Sequence, residues 1–481
     1  MKFEILGWNK NTEETRTLYY DNEYNILSDS TGHVYEYSAD HPAHKKPKGE
    51  VTLAFGKDSP LKKDKLVTFL RIQLGLSCNY GCDYCSQRFV ERPKETSKKD
   101  IEDFMKKLDV LEFDEEKGLK IEYWGGEPLV YWKTLKPLAE AIAVKFKHWK
   151  KKPVLGIITN GSLLNKEICS WLYFMGFGVA ISHDGPGQHV RGPDPFEDPQ
   201  KRKDILDFYK VMHPKNRISF NTVLCKQNQS RKEIYEWFKN LTGDPTVKIG
   251  EGVIVDVYND ASNENVLTTK EEHFQYRRTT FNDIYENGNS LNFIGVYGRI
   301  DGFINGILTH SESKYLDQKC GMDSPNTLAL DLRGDVFTCQ NVSAIEVSPN
   351  GESHYGGNLD DFDSIKLTSS THWKNREHCS SCPVLHICKG SCMFLDGEYW
   401  DTSCANAYSD YISMFSLAIE RITGFIPVEV KGEGLPLHRQ DIWGTRYKHE
   451  ENKRKVFTLK VVNEKTMVND IEVYTKPKVE A

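Results

Sequence analysis

Leu70, Ile72, Leu74 and Leu76 alternate with Arg71, Gln73 and Gly75, the two-residue period of a strand with one face turned inward. Further strand-like runs occur at Lys120–Trp124, Val154–Thr159, Gly178–Ser182, Arg217–Val223 and Val247–Val255. Helices fit between them. One is expected from Ser97, with Asp100 three residues on as a capping pair, and another from Ser230, with Glu233 in the same relation. Lys133–Trp149 and Asn165–Met175 complete the series. Six strands separated by helices predict a parallel sheet with βαβ crossovers. An α/β barrel, partial at six strands, is its natural closure, and chemistry in that fold sits on loops at the C-terminal ends of the strands.

Residues 1–66 read as a small β-rich module and linker. Phe3, Ile5 and Leu6 suggest one strand, and Thr17–Tyr20 another. Val34–Tyr37 is expected as a third, after the turn signal Asp29-Ser30-Thr31-Gly32. The barrel is placed at 67–312 and a cysteine-rich segment with little regular pattern at 313–428. The tail, 429–481, carries the charged run Lys448–Lys455 and a strand-like Val456–Val462, giving a short strand or hairpin.

Composition narrows the class. The 63 Lys+Arg against 69 Asp+Glu leave a net charge of −6, unlike the basic excess of a dedicated nucleic-acid binder. Met1–Glu14 has charges and no apolar signal core. The longest uncharged stretch, Ile168–Ser182, contains two Gly and falls short of the ~20 apolar residues of a membrane span. Neither a nucleic acid nor a membrane is therefore expected as partner, and the expected location is cytoplasmic. Thiols stay reduced there, so the 12 cysteines point to metal or catalysis rather than disulfides.

Their spacing sharpens this. After the first barrel strand comes Cys78-Asn79-Tyr80-Gly81-Cys82-Asp83-Tyr84-Cys85, a C-x3-C-x2-C motif. Three close thiolates suit an iron–sulfur cluster with one iron left free of cysteine. Zinc, in a closed structural site, takes four protein ligands, and no fourth Cys or His lies nearby in sequence.

The motif resembles that of the radical SAM family, and the resemblance covers roughly residues 66–310. It implies that S-adenosylmethionine (SAM) chelates the open iron. Reductive cleavage of its sulfonium then yields a 5′-deoxyadenosyl radical that abstracts hydrogen from the substrate. Gly125-Gly126-Glu127-Pro128, after the second strand, looks like the family's GGEP motif, with Glu127 near the methionine ammonium. Ser182 and Asp184, in Ser182-His183-Asp184-Gly185-Pro186, are similar to family contacts to ribose or nearby substrate. Thr159-Asn160-Gly161 resembles a family turn but is also a generic turn signal. Asn221 and Arg191 are weaker candidates for the SAM hydroxyls and carboxylate, and Tyr84 stands at the position beside adenine.

Downstream, Cys320, Cys339, Cys379, Cys382, Cys388, Cys392 and Cys404 closely resemble the SPASM extension of radical SAM peptide and protein maturases. A zinc ribbon of Cys379, Cys382, Cys388 and Cys392 is the alternative in isolation. The family pattern implies one [4Fe–4S] cluster on Cys379, Cys382, Cys388 and Cys404, and another on Cys320, Cys339 and Cys392. The second set lacks a fourth cysteine, and Asp323 is a candidate ligand there. Sulfatase-maturing relatives carry a basic Asp directly after the second SPASM cysteine. Here that position is Gln340, whose neutral amide cannot take a proton. Cys169 and Cys225 read as buried structural thiols, and the lysines of 145–152 as a solvated helix end.

The resemblance thus implies three [4Fe–4S] clusters, SAM, and an electron donor such as flavodoxin or ferredoxin. The expected substrate is a ribosomally synthesised precursor peptide, which receives an intramolecular crosslink. A C–C cyclophane is favoured, with thioether formation or epimerisation as variants. Oxidation of Cys or Ser to formylglycine is the second enzymatic reading, and a zinc-stabilised binding module the non-enzymatic one.

Overall fold

Side chains alternate between buried and wetter positions where a strand has one face on the core, and the N-terminal strand shows it: Phe3 and Ile5 are buried, while Lys2 and Glu4 on the other face are exposed and Leu6 and Trp8 half-buried. The computed structural model describes residues 1–45, 50–51, 53–252, 264–348, 351–368 and 371–444, and three short strands beyond them. Lys2–Trp8 pairs antiparallel with Thr15–Asp21, which pairs with Ile26–Asp29. The third strand therefore precedes the turn signal, and the strand expected at Val34–Tyr37 does not form. Asn25 takes a positive φ of 55° and turns the chain early. Asp29 then accepts from the Thr31 and His33 amides, folding 30–33 back on itself, and Val34 makes only an isolated bridge to Ser28. The other edge of Lys2–Trp8 is filled by Ile426–Lys431, so this sheet joins the chain's first residues to a segment more than 400 residues away.

The six barrel strands form as Phe69–Gln73, Lys120–Trp124, Val154–Thr159, Gly178–Ser182, Ile218–Val223 and Ile249–Gly252, parallel and in chain order. Residues 253–255 of the sixth expected strand lie outside the described residues. The free edge of the first strand pairs in parallel with Thr327–Asp331, which continues antiparallel into Asp335–Phe337 and Tyr355–Asn358. The cysteine-rich segment is thereby anchored to the barrel by backbone hydrogen bonds.

Local signals set the helix starts. Ser97 and Asp100 make a reciprocal capping box ahead of Ile101–Lys107. Asn165 caps Lys166–Phe174 through the Ile168 amide, and Ser230 caps Arg231–Thr242 through the Glu233 amide. Trp132–Lys145 ends in the lysine run, where Lys152 Nζ donates to the carbonyls of Lys147 and Trp149, both at 2.6 Å. The 27-residue helix Gly397–Thr423 is buried along most of its length and packs against Lys270–Asn287 and Ile294–Leu308. Of the tail, Lys460–Val462, Lys465–Val468 and Ile471–Tyr474 pair antiparallel. Residues 456–459 of its expected strand, and the charged run 448–455, lie outside the described residues. Among the described residues no helix is long and apolar enough to cross a membrane.

Candidate active site

The first strand delivers the chain to Gly75 and Leu76 at the C-terminal end of the sheet, and the second delivers Gly125 and Gly126 beside them. The two turns touch: the Gly126 amide donates to the Gly75 carbonyl at 3.1 Å and the Glu127 amide to the Ser77 carbonyl at 3.0 Å. A Cβ on Gly126 would stand 2.5 Å from the Leu76 oxygen and 2.6 Å from that of Ser77; one on Gly125 would meet the Gly75 oxygen at 2.5 Å. Only glycine permits this approach. The loop that follows carries Cys78, Cys82 and Cys85. It is tied on one side by Asn79, which accepts from Asn160 at 2.9 Å and donates to Ser162 at 2.8 Å. On the other side Tyr80 donates to the Pro193 carbonyl at 2.7 Å and the Asp83 amide to that of Val190 at 3.1 Å.

Glu127 is fully buried, and burial raises its pKa. Three donors work against that: Thr159 Oγ1 and the Asn160 amide at 2.7 Å, and the Leu129 amide at 3.0 Å. Glu127 thus holds the second and third strand loops together, with Pro128 opening the short turn behind it. Asp184 is a second buried hub. It accepts from the Val223 amide at 2.9 Å, from Arg191 at 3.3 Å and from the Tyr84 hydroxyl. Burial drives the Tyr84 pKa well up, so the phenol stays a donor. Burial pulls the Arg191 pKa down, but the Asp184 charge leads several that push it above its ordinary value.

Together these turns enclose a cavity of about 340 Å³. Cys78, Cys82, Cys85, Tyr84, Gly125, Gly126, Glu127, Ser182, Arg191 and Asn221 all line it. Pro128 and Asp184 do not; they stand behind the lining and position it. Several lining residues went unread in the sequence, among them Trp124 and Asn341. Trp124 Nε1 donates to Asn341 Oδ1 at 3.1 Å, and the Asn341 amide lies 3.4 Å from Cys339 Sγ. Gln73 adds bonds to the carbonyls of Gln340 and Val342 at 3.0 and 2.8 Å. The Cys339 loop is therefore clamped onto the first two strands and reaches the cavity wall. No signal in the sequence marks this contact, which spans more than 200 residues.

The other cysteines form two groups. Cys379, Cys382, Cys388 and Cys404 line one small cavity together with Tyr408 and Arg439. Burial raises the Cys339 thiol's pKa, and the nearby charges of Cys392 and Cys320 add to it. Arg71 faces this second group and binds Glu122 Oε2, Gln340 Oε1 and Met322 Sδ, each at 3.2 Å. Among the described residues no three His, Cys, Asp or Glu side chains converge on a point as a single metal ion requires; the cysteines ring cavities instead. Cys169 is buried in the main core, and Cys225 packs beside Cys82 and Tyr84.

Residues 72–238 match the Radical SAM superfamily. The chain is 25% identical over 360 residues to a radical SAM cyclopropyl synthase, TigE, of Paramaledivibacter caminithermalis, with 67% of each chain covered. It is 22% identical over 383 residues to a cysteine-type anaerobic sulfatase-maturating enzyme of Clostridium perfringens, covering 72% of this chain and 94% of that one. Among solved structures, native anSMEcpe with bound AdoMet and Cp18Cys peptide superposes with a TM-score of 0.51 at 18% identity, over 74% of this chain and 99% of that one. That likeness is one of fold.

Proposed function

This chain is a radical SAM enzyme, and from that premise we propose that it modifies a ribosomally made precursor peptide by installing an intramolecular crosslink. The observation that carries the reading is the shared cavity: the C-x3-C-x2-C loop and the glycine-lined turn open onto the same space as Asn341, two residues past Cys339. A site that abstracts hydrogen thereby adjoins a cysteine group suited to receive an electron. The family implies SAM and a [4Fe–4S] cluster, and the site suits both. Cys78, Cys82 and Cys85 offer three thiols on one loop. Gly125 and Gly126 line the cavity and let the second turn close onto the cysteine-bearing one, and Arg191 Nε is buried with no protein partner. When bound, the cluster and SAM supply a carbon radical able to take hydrogen from an unactivated carbon. In this reading Arg191 binds the SAM carboxylate, Ser182 and Asn221 bind its hydroxyls, and Tyr84 flanks the adenine.

We assign one auxiliary [4Fe–4S] cluster to Cys379, Cys382, Cys388 and Cys404. A second belongs to Cys320, Cys339 and Cys392. Asp323 is the candidate for its fourth position: one carboxylate oxygen accepts from the Gln318 amide at 2.7 Å, and the other is buried without a partner. Forming a crosslink by loss of two hydrogens leaves a second electron, which these clusters accept. A flavodoxin or ferredoxin supplies the priming electron in the cytoplasm, where the thiols stay reduced.

A C–C cyclophane is the product we favour, with thioether formation and epimerisation as variants. The relative named a cyclopropyl synthase makes a carbon ring, which supports C–C bond formation and adds small-ring closure to the products to be tested. The test is anaerobic incubation of the reconstituted enzyme with SAM, a reductant and the precursor peptide encoded beside its gene. A peptide lighter by two hydrogens, with a new C–C bond by NMR, is expected. An unchanged mass with inverted stereochemistry would overturn the crosslink. Maturation of a sulfatase is the second reading, favoured by the 22% identical relative. Against it, Gln340 carries no charge and its Oε1 already accepts from Arg71. Co-expression with a sulfatase and mass analysis of its active-site peptide separates the two.

A further inference from the structure

Each cysteine group of this chain faces a guanidinium, but the contacts differ in kind. Arg191 is bonded to Asp184, and Arg71 to Glu122. Arg376, beside Cys379 and Cys392, donates through Nη2 to the carbonyls of Cys392 and Leu395, lies 3.6 Å from Asp396 through Nη1, and keeps a buried Nε without a partner. Arg439 instead bonds a cysteine sulfur directly: its Nη2 lies 3.4 Å from Cys404 Sγ.

The segment that carries it is built to hold it there. Residues Leu437–Gln440 form a single helical turn, with the Arg439 amide bonded to the Pro436 carbonyl at 2.8 Å. Tyr408, one turn along the long helix from Cys404, donates its hydroxyl to the Arg439 carbonyl at 2.6 Å. Its ring lies 4.9 Å beneath the guanidinium. Arg277 fixes the same segment through the carbonyls of His438, Asp441 and Ile442, each at 3.3 Å. Gly434, Leu435, Pro436 and His438 line a small opening over Cys382 and Cys404, so this strap covers the cysteine group from outside.

We propose that Arg439 tunes the reduction potential of the auxiliary cluster held by Cys379, Cys382, Cys388 and Cys404. The proposal rests on the assignment of that cluster above. Four thiolates give such a cluster net negative charge, and reduction adds another. A fixed cation with an N–H···S bond stabilises the reduced form more than the oxidised one, and partial burial keeps water from screening it. Arg439 thus raises the potential and makes the cluster a better acceptor for the electron released on bond formation. It acts through the cluster and is a positioning residue, not a catalytic one.

The test uses the full chain with Cys78, Cys82 and Cys85 changed to Ala, leaving only auxiliary clusters. Iron and acid-labile sulfide are measured first; their absence would overturn the cluster assignment together with this inference. With iron retained, EPR-monitored redox titration of R439Q is expected to show one auxiliary midpoint moved to more negative potential and the other unmoved. R439K keeps the charge without the planar fork, and its shift should be smaller. Y408F, which frees the Arg439 carbonyl but keeps the ring, should shift in the same direction. An unmoved or more positive midpoint in iron-replete R439Q overturns the proposal while leaving the cluster assignment standing. Should R439Q shed iron, R439K decides by the same criterion: a negative shift supports the proposal and none overturns it.

Discussion

Gly126 and Gly81 lie near the same cysteines yet answer to different constraints. At Gly126 a methyl group would press on two backbone oxygens, those of Leu76 and Ser77, which cannot rotate away. The Ser77–Cys78 segment must shift instead, with an overpacking cost of about 1–3 kcal/mol. At Gly81 nothing lies within 4 Å of the added Cβ. G126A is therefore expected to lower SAM affinity at least tenfold and to depress the unfolding midpoint, whereas G81A leaves both near the wild-type value. Calorimetric SAM titration and anaerobic urea unfolding of the two variants check this. Equal effects would mean that the glycine pair is not shaped by the contact between the two turns. The GGEP pattern is legible in sequence because its constraint is local, but Glu127's work is not. Its three donors come from the following turn and from Thr159 and Asn160, on the next strand's loop. Asp184 likewise reads as a ligand contact and folds as a bracket for Tyr84 and Arg191.

The helix Lys270–Asn287 begins at Thr269 with a complete capping box and lies along Gly397–Thr423. His273 sits in that seam, its Nδ1 2.9 Å from Ser409 Oγ. Burial is the main cause lowering its pKa from 6.5 to about 4, and Arg277, His438 and Arg439 push in the same direction. The folded protein thus keeps a neutral imidazole where the unfolded chain takes up a proton. Stability is full above the unfolded value and falls as pH drops from 6.5 toward 4. By pH 5 the loss from this residue is about 1–2 kcal/mol. H273Q should flatten that part of the slope between pH 7 and pH 5 in urea unfolding; an unchanged slope would place the pH sensitivity elsewhere. The helix starts at Ser97, Asn165 and Ser230, and the strands Lys120–Trp124, Val154–Thr159 and Gly178–Ser182, were readable because caps and apolar alternation are local chemistry. The third N-terminal strand was not. Both sides of Asp29 carry β-formers, and only Asn25's left-handed turn and the Asp29 side-chain bonds choose between them.

Long-range closures were the least legible part. Nothing local to Ile426–Lys431 announces that it pairs with Lys2–Trp8, or that Arg439 beyond it reaches Cys404. The same holds for the buried charges that join the barrel to the C-terminal helix. Arg231 is wholly buried. Its Nε bonds Glu251 Oε2 on the sixth strand at 2.7 Å, its Nη1 bonds Thr280 at 3.0 Å, and its Nη2 bonds Asp410 Oδ1 on the long helix at 2.8 Å. Tyr276 donates to the same Asp410 oxygen at 2.9 Å, and Arg299 pairs with Glu251. Burial opposes every charge here, and only mutual pairing keeps them ionised. Removing one partner should therefore cost more than the pair contributes. D410A strands the Arg231 guanidinium against half its counter-charge, a loss of about 3–5 kcal/mol. R231M combined with D410L removes both charges and should recover much of that. Because Arg231, Glu251 and Asp410 lie on a barrel helix, a barrel strand and the long helix, hydrogen exchange can locate the damage. D410A is expected to raise exchange together in Arg231–Thr242 and in Gly397–Thr423, and the double variant to restore protection in both. Exchange confined to the long helix would show that the barrel holds its sixth strand without this bridge, and that the cysteine-bearing end of the chain is seated by its other contacts, the sheet pairing of Thr327–Asp331 and the Gln73 and Trp124 bonds among them.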